Sequence, residues 1–128
     1  MITLADYYMG RDAKYSSELT VELRRNADET VAKANRLLAA FGHLRSVNSG
    51  WRPAAINAQV PNASKKSKHM ICQAIDLNDD DGSLDAYCMA NQGLLAQIGL
   101  WLEHPDSTPK WCHVQIIPPA SGNRVFPP

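Results

Sequence analysis

Hydrophobic and polar positions alternate with two different periods along this chain. From Thr20 onward Leu23, Ala27, Val31, Ala34, Leu38 and Phe41 recur at helical spacing. Thr20 stands where an N-cap belongs and Gly42 where a C-terminal cap belongs, so the spacing predicts a long helix between them. A short extended piece, Leu44 to Asn48, leads into Ser49-Gly50-Trp51-Arg52-Pro53, and the proline followed by Ala54, Ala55 and Ile56 starts a short helix. Pro61 to Lys68 is loop-like. Ile71 to Leu77 has strand composition, and the polar turn Asn78 to Gly82 follows it. A second helix is predicted from a Ser83 cap to Gly99, with Leu84, Tyr87, Cys88, Asn91, Leu95 and Ile98 on one face. Leu100 to Glu103 and Trp111 to Ile117 are strand-like runs separated by turn residues, which predicts a hairpin. Residues 1–17 show no clear period and are read as an N-terminal arm containing one short helix; residues 118–128 form a Pro-rich C-terminal tail. The order of elements predicts one α+β domain over residues 1–128, a small and mostly antiparallel sheet flanked by helices.

Composition narrows the field. With 45% hydrophobic and 20% charged residues the chain is an ordinary globular one. Thirteen Lys and Arg balance thirteen Asp and Glu, so the basic excess of a general nucleic-acid binder is missing. No apolar run is long enough to insert in a membrane, and the N-terminus lacks a basic segment followed by an apolar one. The absence of a signal peptide and a monomeric state are the expectations. Cys72, Cys88 and Cys112 cannot all pair within one chain and are expected to be reduced.

Strand parity supplies the first argument about chemistry. On the second strand of the hairpin Cys112, Val114 and Ile116 form an apolar face, which leaves Trp111, His113 and Gln115 on the other; on the first strand Trp101 and Glu103 match that second face. One face therefore gathers a histidine, a carboxylate and two tryptophans, the composition of a cleft. A merely solvated amphipathic hairpin is the plainer alternative. His69, in a loop, and Asp76, at a strand end, are seven apart and of opposite parity, so they meet at one centre only if the chain bends near Cys72. With His113 they make a three-ligand set for Zn²⁺ that leaves a coordination position open, the arrangement of catalytic zinc.

These residues resemble the zinc D-alanyl-D-alanine carboxypeptidases, D-Ala-D-Ala dipeptidases and phage L-alanyl-D-glutamate endolysins, which share S-x-H-x-x-G-x-A-x-D followed by W-x-H. Ser67, His69, Ala74 and Asp76 fit the first element, Trp111-Cys112-His113 fits the second, and Ser49-Gly50-Trp51-Arg52-Pro53 with Asn57 resembles the family's S-G-[YW]-R-[SP] segment. The resemblance, spanning about Ser49 to Gln115, implies a hedgehog/DD-peptidase-like fold and zinc held by His69, Asp76 and His113. It also implies Arg52 at the substrate or the developing oxyanion, and cleavage of a peptide bond in bacterial peptidoglycan. A leaderless enzyme of this kind, made in the bacterial cytoplasm, looks like a phage or prophage lytic protein acting at the cell wall during lysis or virion entry.

Two positions depart from the pattern. The family's glycine between histidine and aspartate is Cys72 here, so a residue with a side chain must make the bend and a different local backbone is expected. Many members carry the catalytic acid three residues before the second histidine, where this chain has Lys110. Glu103, which shares face and parity with His113, is the candidate general base, and Asp106 in the turn is the fallback. Ser67 is assigned to hydrogen bonding near metal or substrate, and Trp111 to the cleft wall. Competing readings are a cysteine peptidase with Cys72 as nucleophile, a structural zinc on Cys72 and Cys112, and a non-catalytic cell-wall-binding or virion structural module on the same fold. A calcium loop at Asp76 to Gly82 fails because its sixth position is Asp81 and its twelfth Tyr87.

Overall fold

The computed structural model describes residues 1–128. Its N-terminal segment is more ordered than one short helix: α1 (Leu4–Tyr8) and α2 (Arg11–Lys14) are followed by a 3₁₀ turn, Ser16–Glu18. Thr3 and Asp6 close a reciprocal capping box at the start of α1, which turns Tyr7 into the core, where its hydroxyl donates to the Ala74 carbonyl at 2.8 Å. Helix α3 (Val21–Phe41) has the predicted ends, with the Thr20 side chain accepting from Leu23 N–H and Gly42 in the left-handed region at φ 88°. Its inward stripe is Ala27, Thr30, Val31, Ala34, Leu37 and Leu38.

Strand β1 (Val47–Ser49) and the short helix α4 (Ala54–Asn57) flank the Gly50–Pro53 turn. The strand expected from Ile71 begins later. Lys68–Ile71 is a 3₁₀ turn, Cys72 has φ 59° and ψ 27°, and β2 runs Ala74–Asn78. The bend near Cys72 is thus real, and a side-chain-bearing residue makes it in the left-handed conformation usually left to glycine. Thr30 on α3 ties it down by donating to the Cys72 carbonyl at 2.7 Å. The second predicted helix is two: α5 (Ser83–Ala90) and α6 (Gln92–Ile98) break at Asn91, φ −130°. Its start is capped from outside the expected Ser83, since the buried Asp79 carboxylate accepts from Leu84 and Asp85 N–H, each at 2.9 Å. The hairpin strands are β3 (Trp101–Glu103) and β4 (Trp111–Gln115), and the tail contributes β5 (Val125–Phe126).

The sheet order is β1-β2-β4-β3-β5, antiparallel except for the β3–β5 pair. Its register separates core from cleft. Ile75 faces Val114 and Leu77 faces Cys112 on the buried side, against α3, α5 and α6, while Asp76 faces His113 and Ala74 faces Gln115 on the other. No helix is long and apolar enough to cross a membrane.

Asp85 is buried on α5 beside Asp79 and within reach of the Thr108 hydroxyl at 3.4 Å, and its Oδ1 has no partner. Burial raises its pKa to about 6, the Cys112 thiol opposing and the Asp79 charge adding to the shift. A carboxyl whose folded pKa lies above its unfolded one stabilises the fold below the unfolded value and ceases to do so as pH rises through about 6. Asp85→Asn is therefore expected to be more stable than wild type at pH 7 and little different at pH 4, read from urea unfolding at the two pH values. An equal difference at both would remove this assignment.

Candidate metal centre

Three elements deliver the three side chains. The 3₁₀ turn carries His69, β2 carries Asp76 and β4 carries His113, the last two as direct partners across the antiparallel ladder. His69 Nε2 lies 3.2 Å from Asp76 Oδ2, and His113 Nδ1 lies 2.8 Å from Asp76 Oδ1. One donor atom from each falls within 4.8 Å of the others, and all three residues are buried. The sevenfold spacing that separates His69 from Asp76 in parity is resolved by the left-handed Cys72 between them.

The outer nitrogens of both rings are engaged. His69 Nδ1 lies 2.9 Å from the Gly50 carbonyl, which can only accept, so the ring proton sits on Nδ1 and the Nε2 lone pair faces Asp76. His113 Nε2 lies 3.0 Å from Gln115 Oε1, while the Gln115 amide nitrogen donates to the Ile117 carbonyl at 2.9 Å, which aims the His113 Nδ1 lone pair at Asp76 as well. Two lone pairs and a carboxylate converging in a buried place form a donor set that calls for a cation. Acceptors that hold the outer nitrogen of a ligating imidazole, as the Gly50 carbonyl and Gln115 Oε1 do here, are the usual second layer of a metal centre. Without one, burial lowers the pKa of His69 against the pull of Asp76, while at His113 the Asp76 hydrogen bond and charge outweigh burial and raise it. Asp76 is held well below the usual carboxylate range, because the two histidines overcome the cost of burying it.

Around this centre the other expected residues fall into place unevenly. The Arg52 amide donates to the His69 carbonyl at 3.1 Å, and its side-chain Nη2 donates to Ser67 Oγ at 3.2 Å, while Nε is buried without a partner. Ser67 Oγ also accepts from His69 N–H, so this hydroxyl both caps the 3₁₀ turn and steadies the arginine. Glu103 sits on β3, where the pairs Trp101–Gln115 and Leu102–Val114 carry the register on toward His113. Burial raises its pKa; the His113 charge opposes the shift and Asp76 adds to it. Asp106 is almost fully exposed and lies 3.7 Å from His104, turned to solvent. Trp111, half-buried, opens β4 on the His113 face, whereas Trp101 stacks under Arg124, 4.4 Å from guanidinium carbon to ring centre.

The cysteine readings do not survive. Cys72 is fully buried against Tyr7, and burial pushes its thiol to about 12, far from a thiolate at neutral pH. Cys112 lies on the opposite face of β4 from His113, beside Cys88 and Asp85, so it shares no centre with Cys72. Three supporting residues escape a sequence reading: the Gly50 carbonyl, Gln115, whose parity with His113 was its one visible sign, and Phe126, whose ring meets His113 edge-on at 6.2 Å.

Residues 11–101 match the family model described as Peptidase M15. This chain belongs to the Peptidase M15 family. Membership implies a metallopeptidase, and peptidases of the family are zinc-dependent. The matched span contains Arg52, Ser67, His69 and Asp76 and stops before Glu103 and His113, so the third donor is supplied by the fold rather than by the match. Neither the curated proteins nor the solved structures contain a match to the chain.

Gly50 is the tightest point of the surroundings. A Cβ there would stand 1.9 Å from the Tyr7 carbonyl oxygen and 2.8 Å from its carbon, both backbone atoms. Gly50→Ala is expected to push α1 off the turn and cost about 3 kcal/mol of stability, measured by denaturant unfolding. An unchanged midpoint would show that the contact between α1 and this turn does not hold the site.

Proposed function

We propose that the protein is a zinc-dependent peptidase that cleaves a peptide bond in bacterial peptidoglycan stem peptides, of the DD-carboxypeptidase or L-Ala-D-Glu endopeptidase type, and that it is a phage or prophage lytic protein. The observation that carries the reading is the convergence of His69, Asp76 and His113 with both outer ring nitrogens already committed. Two imidazoles and one carboxylate suit Zn²⁺ with a position left open for chemistry. Zinc bound there supplies Lewis-acid polarisation of the scissile carbonyl and a lowered pKa for a water molecule.

The remaining work falls to side chains of this chain. Glu103, on the His113 side of the sheet and half out of water, takes the proton of the attacking water and returns it to the leaving amine. Lys110, which stands where many relatives of this kind carry an acid, lies in the turn before β4 with φ 72° and has no carboxylate to offer. Arg52 binds a substrate carboxylate or the developing oxyanion: its Nη2 is steadied by Ser67, and its buried Nε awaits an acceptor. Trp111 walls the cleft beside His113. The second reading, a wall-binding module without hydrolysis on the same fold, is favoured by Lys110 alone.

Purified peptidoglycan digested with the zinc-loaded protein should release peptides whose new termini identify the bond by mass spectrometry, and a chelator should stop the release. Glu103→Gln is expected to lower kcat by about 10² to 10⁴ while zinc still binds one to one. Equal turnover by the variant would remove Glu103 from the mechanism, and inactivity of both proteins would favour the binding module. Asp76→Ala should abolish stoichiometric zinc binding, as followed by metal analysis after gel filtration.

A further inference from the structure

The proposed base is held by nothing polar. Glu103 is half-buried on the cleft face of β3, and its carboxylate takes part in no ion pair of the structure. The donors nearby are spent elsewhere: the His113 ring nitrogens face Asp76 and Gln115, and the Arg124 guanidinium donates to the Leu100 carbonyl at 2.8 Å. A flexible side chain without a tether points where packing sends it. Strand register shows what does the packing. Asp76 pairs with His113, and the β3–β4 ladder, with Trp101 opposite Gln115 and Leu102 opposite Val114, carries on to set Glu103 opposite His113; Glu103 in turn pairs with Phe126. Asp76, His113, Glu103 and Phe126 thus form one row across four strands. β5 is separated from β4 by β3, a backbone distance of roughly 10 Å, yet the Phe126 and His113 ring centres lie 6.2 Å apart. The buried Phe126 ring therefore leans back over β3, across the place from which Glu103 projects. Its backbone is fastened there, since the Phe126 carbonyl accepts from His104 N–H at 2.7 Å.

We propose that Phe126 is a positioning residue for Glu103: its ring occupies the β5 side of the carboxylate and confines it to the His113 side of the sheet. That Glu103 acts as the base rests on the peptidase reading; that Phe126 confines it does not. Trp101, which shares the strand face with Glu103, closes a second side, and its own ring is pinned beneath the Arg124 guanidinium at 4.4 Å. A carboxylate walled in by rings keeps its lone pairs free for a proton, whereas one already hydrogen-bonded would first have to give up a partner. Its aim comes from shape alone. A shorter side chain at position 126 therefore lets the carboxylate swing out over β5 into water, where it is better solvated and out of reach of the reacting water molecule.

Two variants test it. Phe126→Val keeps a strand-forming residue and removes the ring, and Phe126→Met keeps most of its reach. In the metal-free full chain, NMR of wild type should show one χ1 rotamer for Glu103 and contacts between its methylene protons and the Phe126 ring. The valine variant should show averaged couplings, and the methionine variant a rotamer close to that of wild type. With zinc loaded and a soluble pentapeptide stem as substrate, Phe126→Val should lower kcat by about ten- to a hundredfold while KM stays within about twofold and zinc still binds one to one. Phe126→Met should recover the larger part of the loss. In a Glu103→Gln background the loss should vanish, because no carboxylate is left to aim, whereas damage to the fold lowers both backgrounds alike. Averaged Glu103 couplings in wild type overturn the proposal without recourse to any variant. So does a valine variant with wild-type kcat, or one whose cost is the same in the glutamine background. A Glu103 rotamer fixed in wild type and released in Phe126→Val, in a protein that leaves peptidoglycan uncut, sinks the peptidase reading and leaves the confinement standing.

Discussion

The Asp76 carboxylate, shared between two imidazoles, is the interaction on which the rest of the centre depends. Taken alone, each of its neighbours is costly: a buried acid wants a counter-charge, and a buried histidine resists protonation. Together they are tolerable only because strand pairing puts Asp76 opposite His113 while the turn at Cys72 swings His69 onto the other oxygen. The ladder sets one half of the geometry and a single left-handed residue sets the other. Around them the backbone carbonyl of Gly50 and the amide of Gln115 decide which ring nitrogens are left bare. Those two groups give the donor set its direction, since a rotated or differently protonated ring would present a proton where a lone pair is needed.

The helical half of the molecule serves this arrangement from behind the sheet. Thr30 of α3 holds the Cys72 carbonyl, and Tyr7 of α1 holds that of Ala74, so the two ends of the bend are each fastened to a helix by a buried hydroxyl. The cost of a non-glycine residue at positive φ, about 1–2 kcal/mol, is thus borne by a neighbourhood that leaves it no alternative. The Cys72 side chain in turn fills core space that a glycine would leave to its neighbours.

Much of this is legible in the sequence. The 3.6-residue period and its Thr and Gly caps delimit α3 within a residue, and strand parity alone divides Cys112 and Val114 from His113 and Gln115. Parity also demanded a bend between His69 and Asp76, though it could not say that Cys72 would adopt the left-handed conformation usual for glycine. The parts that stayed hidden are those made by backbone or by distant pairs. A carbonyl has no sequence signature, which conceals Gly50; the outside cap from Asp79 depends on where the strand ends; and the break at Asn91 lies inside a continuous helical pattern. The segment before Ser17 has too few turns for a period to emerge, yet Tyr7 is fully buried there and reaches β2.

The fifth strand closes one edge of the sheet. Two residues from a proline-rich stretch lie parallel to β3, taking the Leu102 and His104 amides onto the Arg124 and Phe126 carbonyls at 2.9 and 2.7 Å. An open margin of sheet is a standing invitation to intermolecular pairing, and here it is closed by a strip too short and too rich in proline to recruit a neighbour of its own. Because the same strip sets the Phe126 ring against His113, protection from self-association and the walling of that imidazole are discharged by one and the same stretch of polypeptide.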